Sequence, residues 1–556
     1  MKLYFLLPEH GKKTRLEYIM QLAGSILGYP WKIITTLDQV QQSGVLISYT
    51  ADHSRLISGN IPGINIFNSG QIYDLRGAQG DIRDFAYGEY SIPVLGKWLH
   101  VQPGGGWQAN ERYGYYSKGD VSTWLTGFDL FLNVFYHLSR FEEHDRHSAR
   151  ETADDHSASI LSRDNQLSVP VVDVLLEYFD QLIRLKLNEN KGTAIRVMNW
   201  PGGELHGVAL THDVDLTRGV SFKKRAWQTG TGLLRKLFGD RETLKKSRAE
   251  MDRQDAQVWS FPQLLDFYSR RKWKATFFFL TKRFEGIHYR YNIESPQFQD
   301  LFTDLKQHNH EIGLHSSLNA FRQRKKYLAE KRKLEAITGS KCAGLRQHYL
   351  RALYPGLWQA AEAAHFAYDS SMAYNFQAGF RAGTGHPFFT FDWEQDSSLA
   401  LLEFSLAFFD HNLVTGSGDL SAARHMMQLI IRQISRFHGL LVVLLHPSNF
   451  LQPTYRELWN QLIAELDQRR VYVDTLSGHY KWSKFKEHIE IFPELQNKSR
   501  EVWIIKKPVG LRTFSIEIIG AGRLQIPAEI QIEQVAERSY TINTEKTKME
   551  LVLNRS

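Results

Sequence analysis

From residue 208 onward, five apolar runs each give way to polar side chains whose types suit one kind of chemistry. THDVD supplies Asp213 and Asp215, EIGLHSSLN supplies His315 and Asn319, GLRQHY supplies Arg346, AYDSS supplies Asp369 and Ser370, and VVLLHP supplies His446. In an extended chain residues i and i+2 face the same side, so Asp213 and Asp215 can share a face, one carboxylate holding a cation while the other acts as a base. A divalent cation needs a few oxygen or nitrogen ligands and an open position for water, and Asp215 with His315 begins such a set. Singly, each residue has a plainer account: Asp213 and Asp215 cap a helix, each histidine is satisfied at a strand end, Arg346 pairs with an acid, and Asp369 with Ser370 makes a turn. Their ordered recurrence is what those separate accounts leave unexplained. His310, Glu311 and His315 do not make a metalloprotease helix, because three residues rather than two separate the glutamate from the second histidine.

Elements must position these side chains. VALTHD, ATFFFL, EIGLH, CAGLR, FAYDSS, LLEFSLAF, LLVVLLH and VYVDTL read as strands, and stretches such as FPQLLDFYSRR and HMMQLIIRQISRF between them read as helices. Apolar strands followed by helices imply parallel strands covered by helices, and we expect a distorted (β/α) barrel over residues 203–485, with catalytic groups where strands end. Residues 1–195 mix short apolar runs with a helical pattern in TWLTGFDLFLNVFYHLSRFEEH and another in PVVDVLLEYFDQLIRLKL, giving an N-terminal α/β domain. The polar, charged stretch 144–167 reads as a surface loop or linker. VWIIKK, FSIEII, RLQIPAEIQIE and MELVLN alternate with period two, so residues 495–556 form a small antiparallel β-domain that packs on the barrel or extends it.

At 556 residues the chain exceeds a single hydrophobic core, and its 42% apolar and 13% aromatic content supports several. The formal net charge of +8 is local: residues 219–255 hold ten Lys or Arg against five acids. The balanced remainder argues against a nucleic-acid partner. The basic stretch, with Trp227, Leu233, Leu234, Leu237 and Phe238 among its cations, reads either as a solvated helix face or as a peripheral contact with anionic lipid or a pyrophosphate-linked sugar. Cys342 is the single cysteine, and the opening MKLYFLLPEHGKKTR is interrupted at Pro8 before a secretory apolar region is complete, so a cytoplasmic location is expected. No apolar run approaches the roughly 18–20 residues of a membrane span.

In order and spacing the five motifs resemble those of the polysaccharide deacetylases, carbohydrate esterase family four, over residues 203–485. The resemblance implies that Asp213 is the base, that Asp215 and His315 bind metal, and that Asn319 stands where the family has its second histidine ligand. A neutral amide oxygen is a poorer ligand than imidazole for zinc-like ions, so His348 or His212 is a candidate to complete the sphere. The resemblance further implies that Arg346 steadies Asp213, Tyr349 helps shape the oxyanion site, Asp369 and Ser370 lie in the substrate-binding fourth motif, and His446 is the general acid. The implied cofactor is a divalent metal ion, zinc first, and the implied reaction is removal of an N-acetyl or other N-acyl group from a sugar, expected here to be a precursor of surface polysaccharide. FYHLSRFEEHD, SVPVVDVLLEYF and GFRAGTGHPFF resemble a bacterial subgroup with an extra N-terminal domain. Two rivals stay open: a metal-free amide hydrolase of the same fold, and a catalytically silent carbohydrate-binding protein.

Overall fold

Nine consecutive buried residues, His206–Val214, form a central strand of the largest sheet. A strand covered on both faces reads as a continuous apolar run rather than an alternation, and its neighbours are of the same kind. Thr276–Leu280, Glu311–Ser316, Gly344–Gln347 and Tyr368–Asp369 follow on one side and Leu440–Leu444 lies on the other, all parallel. Val471–Val473 also pairs with the His206 end. Every run read as a strand from residue 208 to residue 476 contains one. Between them the helix Leu420–Arg436 buries Ala423, Met427, Ile430, Ile431 and Ile434, a stripe at helical spacing, and Asp419 caps it by accepting from the Ala422 N–H.

The protein is seen here in a computed structural model that describes residues 2–8, 13–40, 44–50, 63–76, 80–99, 107–110, 115–118, 123–146, 159–162, 165–216, 258–282, 284–285, 288–289, 291–496, 500–520, 522–525 and 530–555. The large sheet is a half-barrel of ten strands, mixed in direction because Phe388–Asp392 runs antiparallel to Ser397–Glu403. One stretch of chain spans its two sides. Ser397–Glu403 pairs with Tyr368–Asp369, and the same chain continues to Phe408–Phe409, which pairs with Leu440–Leu444. Between them the Phe404 N–H donates to the Asp369 carbonyl at 2.9 Å and the Ala407 N–H to the Val442 carbonyl at 3.2 Å.

The N-terminal residues build a seven-stranded sheet in the order Trp31–Ile34, Leu3–Leu6, Val45–Thr50, Gly63–Phe67, Thr123–Thr126, Tyr115–Lys118, Trp107–Asn110. The expected helix in TWLTGFDLFLNVFYHLSRFEEH is in fact three elements: the strand Thr123–Thr126 and the helices Leu130–Leu138 and Phe141–Arg146. Asp129 causes the first break, its carboxylate capping the Leu132 N–H, and Arg140, at φ 56°, makes the second. Within the expected surface loop 144–167, Ile160 and Leu161 are fully buried.

Two four-stranded antiparallel sheets close the chain. One contains Glu490–Gln496, Arg500–Lys506, Lys548–Arg555 and Gly522–Gln525; the other contains Thr513–Ile519, Ser539–Asn543, Gln531–Ala536 and, unexpectedly, Ala194–Val197 from before the half-barrel. Trp503, Ile505, Phe514, Ile516 and Leu551 of these sheets share one apolar cluster with Ala209, Phe278, Tyr368 and Val442 of the half-barrel. The N-terminal helix Lys13–Leu27 meets the half-barrel directly, with the Tyr18 ring 5.1 Å from that of Phe391 and tilted against it by 51°. Among the described residues no helix is long and apolar enough to cross a membrane. The basic stretch 219–255 lies outside the described residues.

Candidate active site

Asp213, Asp215, His315, Arg346 and His446 converge at the C-terminal ends of the parallel strands, where barrel enzymes place their chemistry. Alternation along His206–Val214 sorts the first of them. Thr211 and Asp213 point inward to Arg346, whereas His212 turns to the opposite face, between the Leu445 carbonyl and the Tyr268 hydroxyl, both 2.7 Å away.

Arg346 is fully buried. Its Nη1 donates to Asp213 Oδ1 at 3.1 Å, and its Nη2 donates to Thr211 Oγ1 at 3.1 Å and Ser370 Oγ at 2.9 Å. Ser370 Oγ donates onward to the Phe404 carbonyl at 2.7 Å. Ser370 is thus placed behind the arginine, and Asp369, also fully buried, accepts from the Ser371 hydroxyl at 2.6 Å. Burial pushes the Asp369 carboxyl up to about 6.

Asp215, one residue past the strand, is the hub. Its Oδ1 lies 3.1 Å from His315 Nε2 and 3.6 Å from His348 Nε2, and its Oδ2 lies 3.7 Å from His446 Nε2. Asp215, His315 and His348 each offer one ligand atom, all within 4.8 Å of one another, a spacing that suits a single ion. The His315 tautomer tests the fit. Its Nδ1 donates to the Arg346 carbonyl at 2.9 Å, so Nε2, aimed at a carboxylate, either carries a proton or shares a cation with it. Burial opposes charge on both partners. It is outweighed on His315 by Asp213 and Asp215, which raise its pKa, and on Asp215 by His315, His348 and His446, which hold it well below the usual carboxylate range. One carboxylate with two imidazoles is a donor set that suits zinc.

Asn319, expected at the second histidine position, is exposed on the turn Leu318–Ala320, where its carbonyl accepts from Lys326 Nζ at 2.9 Å. The third histidine or carboxylate donor grouped with Asp215 and His315 is His348. His348 follows the strand Gly344–Gln347, and its ring lies 4.9 Å from that of His315. Tyr349 follows in the left-handed region at φ 57°, 59% exposed, its ring 4.3 Å from that of His348.

His446 faces the hub from the far side. Its Nδ1 donates to Asp410 Oδ1 at 2.8 Å, and Asp410 Oδ2 accepts from the His446 N–H at 2.8 Å and from Asn449 Nδ2 at 3.0 Å. Asp410 was not anticipated. It ends the run LLEFSLAFFD, so extending the search for polar strand ends past Phe409 would have returned it.

Residues 5–188 match a sequence family described as a family of unknown function (DUF7033). No protein of curated function matches the chain. Among solved structures, a protein assigned as a polysaccharide deacetylase from Mycobacterium smegmatis is similar at 19% identity, over 52% of this chain and 93% of that one, with a TM-score of 0.36. The PuuE allantoinase is similar at 11% identity, over 51% and 92% of the two chains, with a TM-score of 0.35. A polysaccharide deacetylase from Bacillus cereus is similar at 13% identity, over 49% and 91%, with a TM-score of 0.27.

Proposed function

We propose that this protein is a metal-dependent hydrolase of the polysaccharide deacetylase type that removes an N-acetyl or other N-acyl group from a sugar. The observation that carries the reading is the cation-ready hub of Asp215, His315 and His348, with Asp213 on one side and the His446–Asp410 pair on the other. A divalent cation held by these three residues, zinc by preference, would supply Lewis acidity to a water and to the acyl oxygen.

The remaining groups divide the proton work. Asp213, 3.8 Å from His315 Nε2 and fixed by Arg346, takes a proton from the attacking water. His446, whose pKa Asp410 raises to about 10 against the opposing effect of burial, is charged at neutral pH and gives its proton to the departing nitrogen. The Tyr349 backbone N–H is the proposed donor to the developing oxyanion. Water adds across the C–N bond, giving a carboxylate and a free amino sugar.

The test joins metal analysis to acetate release from N-acetylchitotetraose and from a nucleotide-linked N-acetyl sugar; the pair also sorts a precursor from a finished polymer. One equivalent of a divalent ion, and an Asp213→Asn variant that keeps the ion but loses acetate release, are expected. A purified chain that binds no divalent ion, or an Asp213→Asn variant as active as the parent, would overturn the reading.

A further inference from the structure

Three stretches that the hydrolytic centre does not use, FYHLSRFEEHD, SVPVVDVLLEYF and GFRAGTGHPFF, meet in space. The first two belong to the N-terminal unit, and the third follows the half-barrel strand Tyr368–Asp369 and runs into the strand Phe388–Asp392. Glu143 takes Arg381 in a two-pronged grip, with Oε1 accepting from Nε at 2.8 Å and Oε2 from Nη2 at 2.9 Å. Arg140 backs the same carboxylate from behind at 2.8 Å. Asp173 accepts from the Thr384 hydroxyl at 2.5 Å and the Gly385 N–H at 2.8 Å. Backbone bonds complete the seam: the Val172 N–H donates to the Gly383 carbonyl at 2.7 Å, and the Phe380 N–H to the Leu167 carbonyl at 2.8 Å. Gly379 packs so closely on the Leu167 carbonyl that a Cβ there would collide with it.

The other end of this segment is tied to the candidate active site. Ser370 supports Arg346, and Ser371 Oγ accepts from the Gln347 N–H at 2.8 Å. Asn375 Nδ2 donates to the Tyr349 carbonyl at 3.3 Å. Asn412, two residues from Asp410, donates to the Tyr374 and Gln377 carbonyls, each at 3.1 Å. Arg381 joins the two ends, since its Nη1 donates to the Ala373 carbonyl at 3.0 Å while Glu143 grips the rest of the guanidinium. A buried two-pronged ion pair adds little net stability, because desolvation offsets much of its attraction, but it fixes a single geometry well.

We infer that the N-terminal unit is a working part of the hydrolytic centre, in which Glu143 and Asp173 are positioning residues that hold segment 370–385 against Arg346, Tyr349 and the helix that begins at Asp410. The inference gives residues 5–188 a role and rests on the hydrolase reading above. A positioning group of this kind acts on the reaction through geometry, and small displacements of reacting groups are costly in rate.

The experiment uses the full-length, zinc-loaded chain, with N-acetylchitotetraose as probe. Glu143→Gln, Arg381→Gln and the double variant are compared for kcat, KM, zinc content and amide hydrogen exchange. We expect Glu143→Gln to lower kcat by about tenfold or more with zinc content unchanged. Exchange across residues 372–378 should quicken while that of 207–214 stays as in the parent, and the double variant should be no worse than the poorer single one. An unchanged kcat, or unchanged exchange across 372–378, overturns the inference whatever the thermal stability does. If Glu143→Gln does not fold, the near-isosteric Thr384→Val, which removes the hydroxyl that donates to Asp173, is put through the same measurements with the same two outcomes. Should the parent release no acetate, the hydrolase reading is what fails, and the exchange arm, which needs no substrate, then decides alone whether Glu143 braces the segment.

Discussion

Asp410 holds His446 at two points: its Oδ1 accepts from the ring Nδ1 and its Oδ2 from the backbone N–H, each at 2.8 Å. The ring is thereby fixed in one orientation, with Nε2 turned toward Asp215 Oδ2 at 3.7 Å. Burial works against a charged imidazole here, but the Asp410 carboxylate outweighs it and carries the His446 pKa to about 10. Asp410 itself is held below the usual carboxylate range, because the imidazolium and the hydrogen bonds outweigh its own burial.

The first prediction follows from that pair. His446→Ala should lower kcat by about 100- to 10,000-fold, the range for loss of a general acid. Asp410→Asn leaves the imidazole but removes the charge that raises its pKa. Since His446 works in its protonated form, the alkaline limb of the kcat profile should move to lower pH in Asp410→Asn. Rate profiles of both proteins over about pH 6 to about pH 10 check this, and superimposable alkaline limbs would sink it.

A second prediction separates the two candidates for the third ligand. His348→Ala removes an imidazole whose Nε2 lies 3.6 Å from Asp215 Oδ1, and it should weaken zinc binding by more than the roughly 10- to 100-fold typical of losing an outer-sphere partner. Asn319→Ala should leave zinc affinity within about twofold of the parent, as a substitution on an exposed turn would. Competition with a chromophoric chelator measures both. Equal losses would return Asn319 to the ligand sphere.

The strands around the site were legible because a doubly covered parallel strand leaves an unbroken apolar run, and Asp213 and Asp215 stood out because period two puts them together. The metal hub was only half legible. Asn319 occupies the expected place in the chain, but the turn Leu318–Ala320 leaves it exposed, while His348 approaches from the neighbouring strand Gly344–Gln347. His348 and His212 were equal candidates in the sequence, and only the packing of the strands separates them: His348 faces Asp215, whereas His212 turns to the opposite face. Ala194–Val197 escaped for a similar reason: its partner strand is Thr513–Ile519, and a pairing across more than three hundred residues leaves no local mark. TWLT was absorbed into a helical pattern because Asp129 looks like any polar residue until its carboxylate is seen capping Leu132.

The third prediction concerns the core shared by the half-barrel and the C-terminal sheets. Trp503 is fully buried, and its Nε1 donates to Glu501 Oε2 at 3.0 Å. Trp503→Ala leaves a cavity in the cluster that also holds Ala209, Phe278 and Val442, and it strips a partner from a buried carboxylate. The expected cost is about 3–5 kcal/mol in denaturant unfolding, with cooperativity retained because one cluster serves both units. A separate early transition for the C-terminal sheets would show that the two units are not coupled.

The fourth prediction concerns pH and stability. Asp173 is buried in the first turn of Val171–Glu189, where burial drives its pKa up to about 7 against the opposing hydrogen bonds from Gly385 and Thr384. A carboxyl whose folded-state pKa is raised favours folding most when protonated. Its contribution is complete below the unfolded carboxylate range and is lost as pH rises through about 7. Asp173→Asn cannot titrate, yet its amide oxygen can still accept from the Gly385 N–H, and the Thr384 hydroxyl can rotate to accept from its NH2. Parent and variant should therefore differ in unfolding free energy by an amount that moves in the variant's favour between about pH 5 and about pH 8. Urea titrations of both at the two pH values read the difference, and a gap independent of pH would mean that Asp173 is ionised throughout that range in the folded protein.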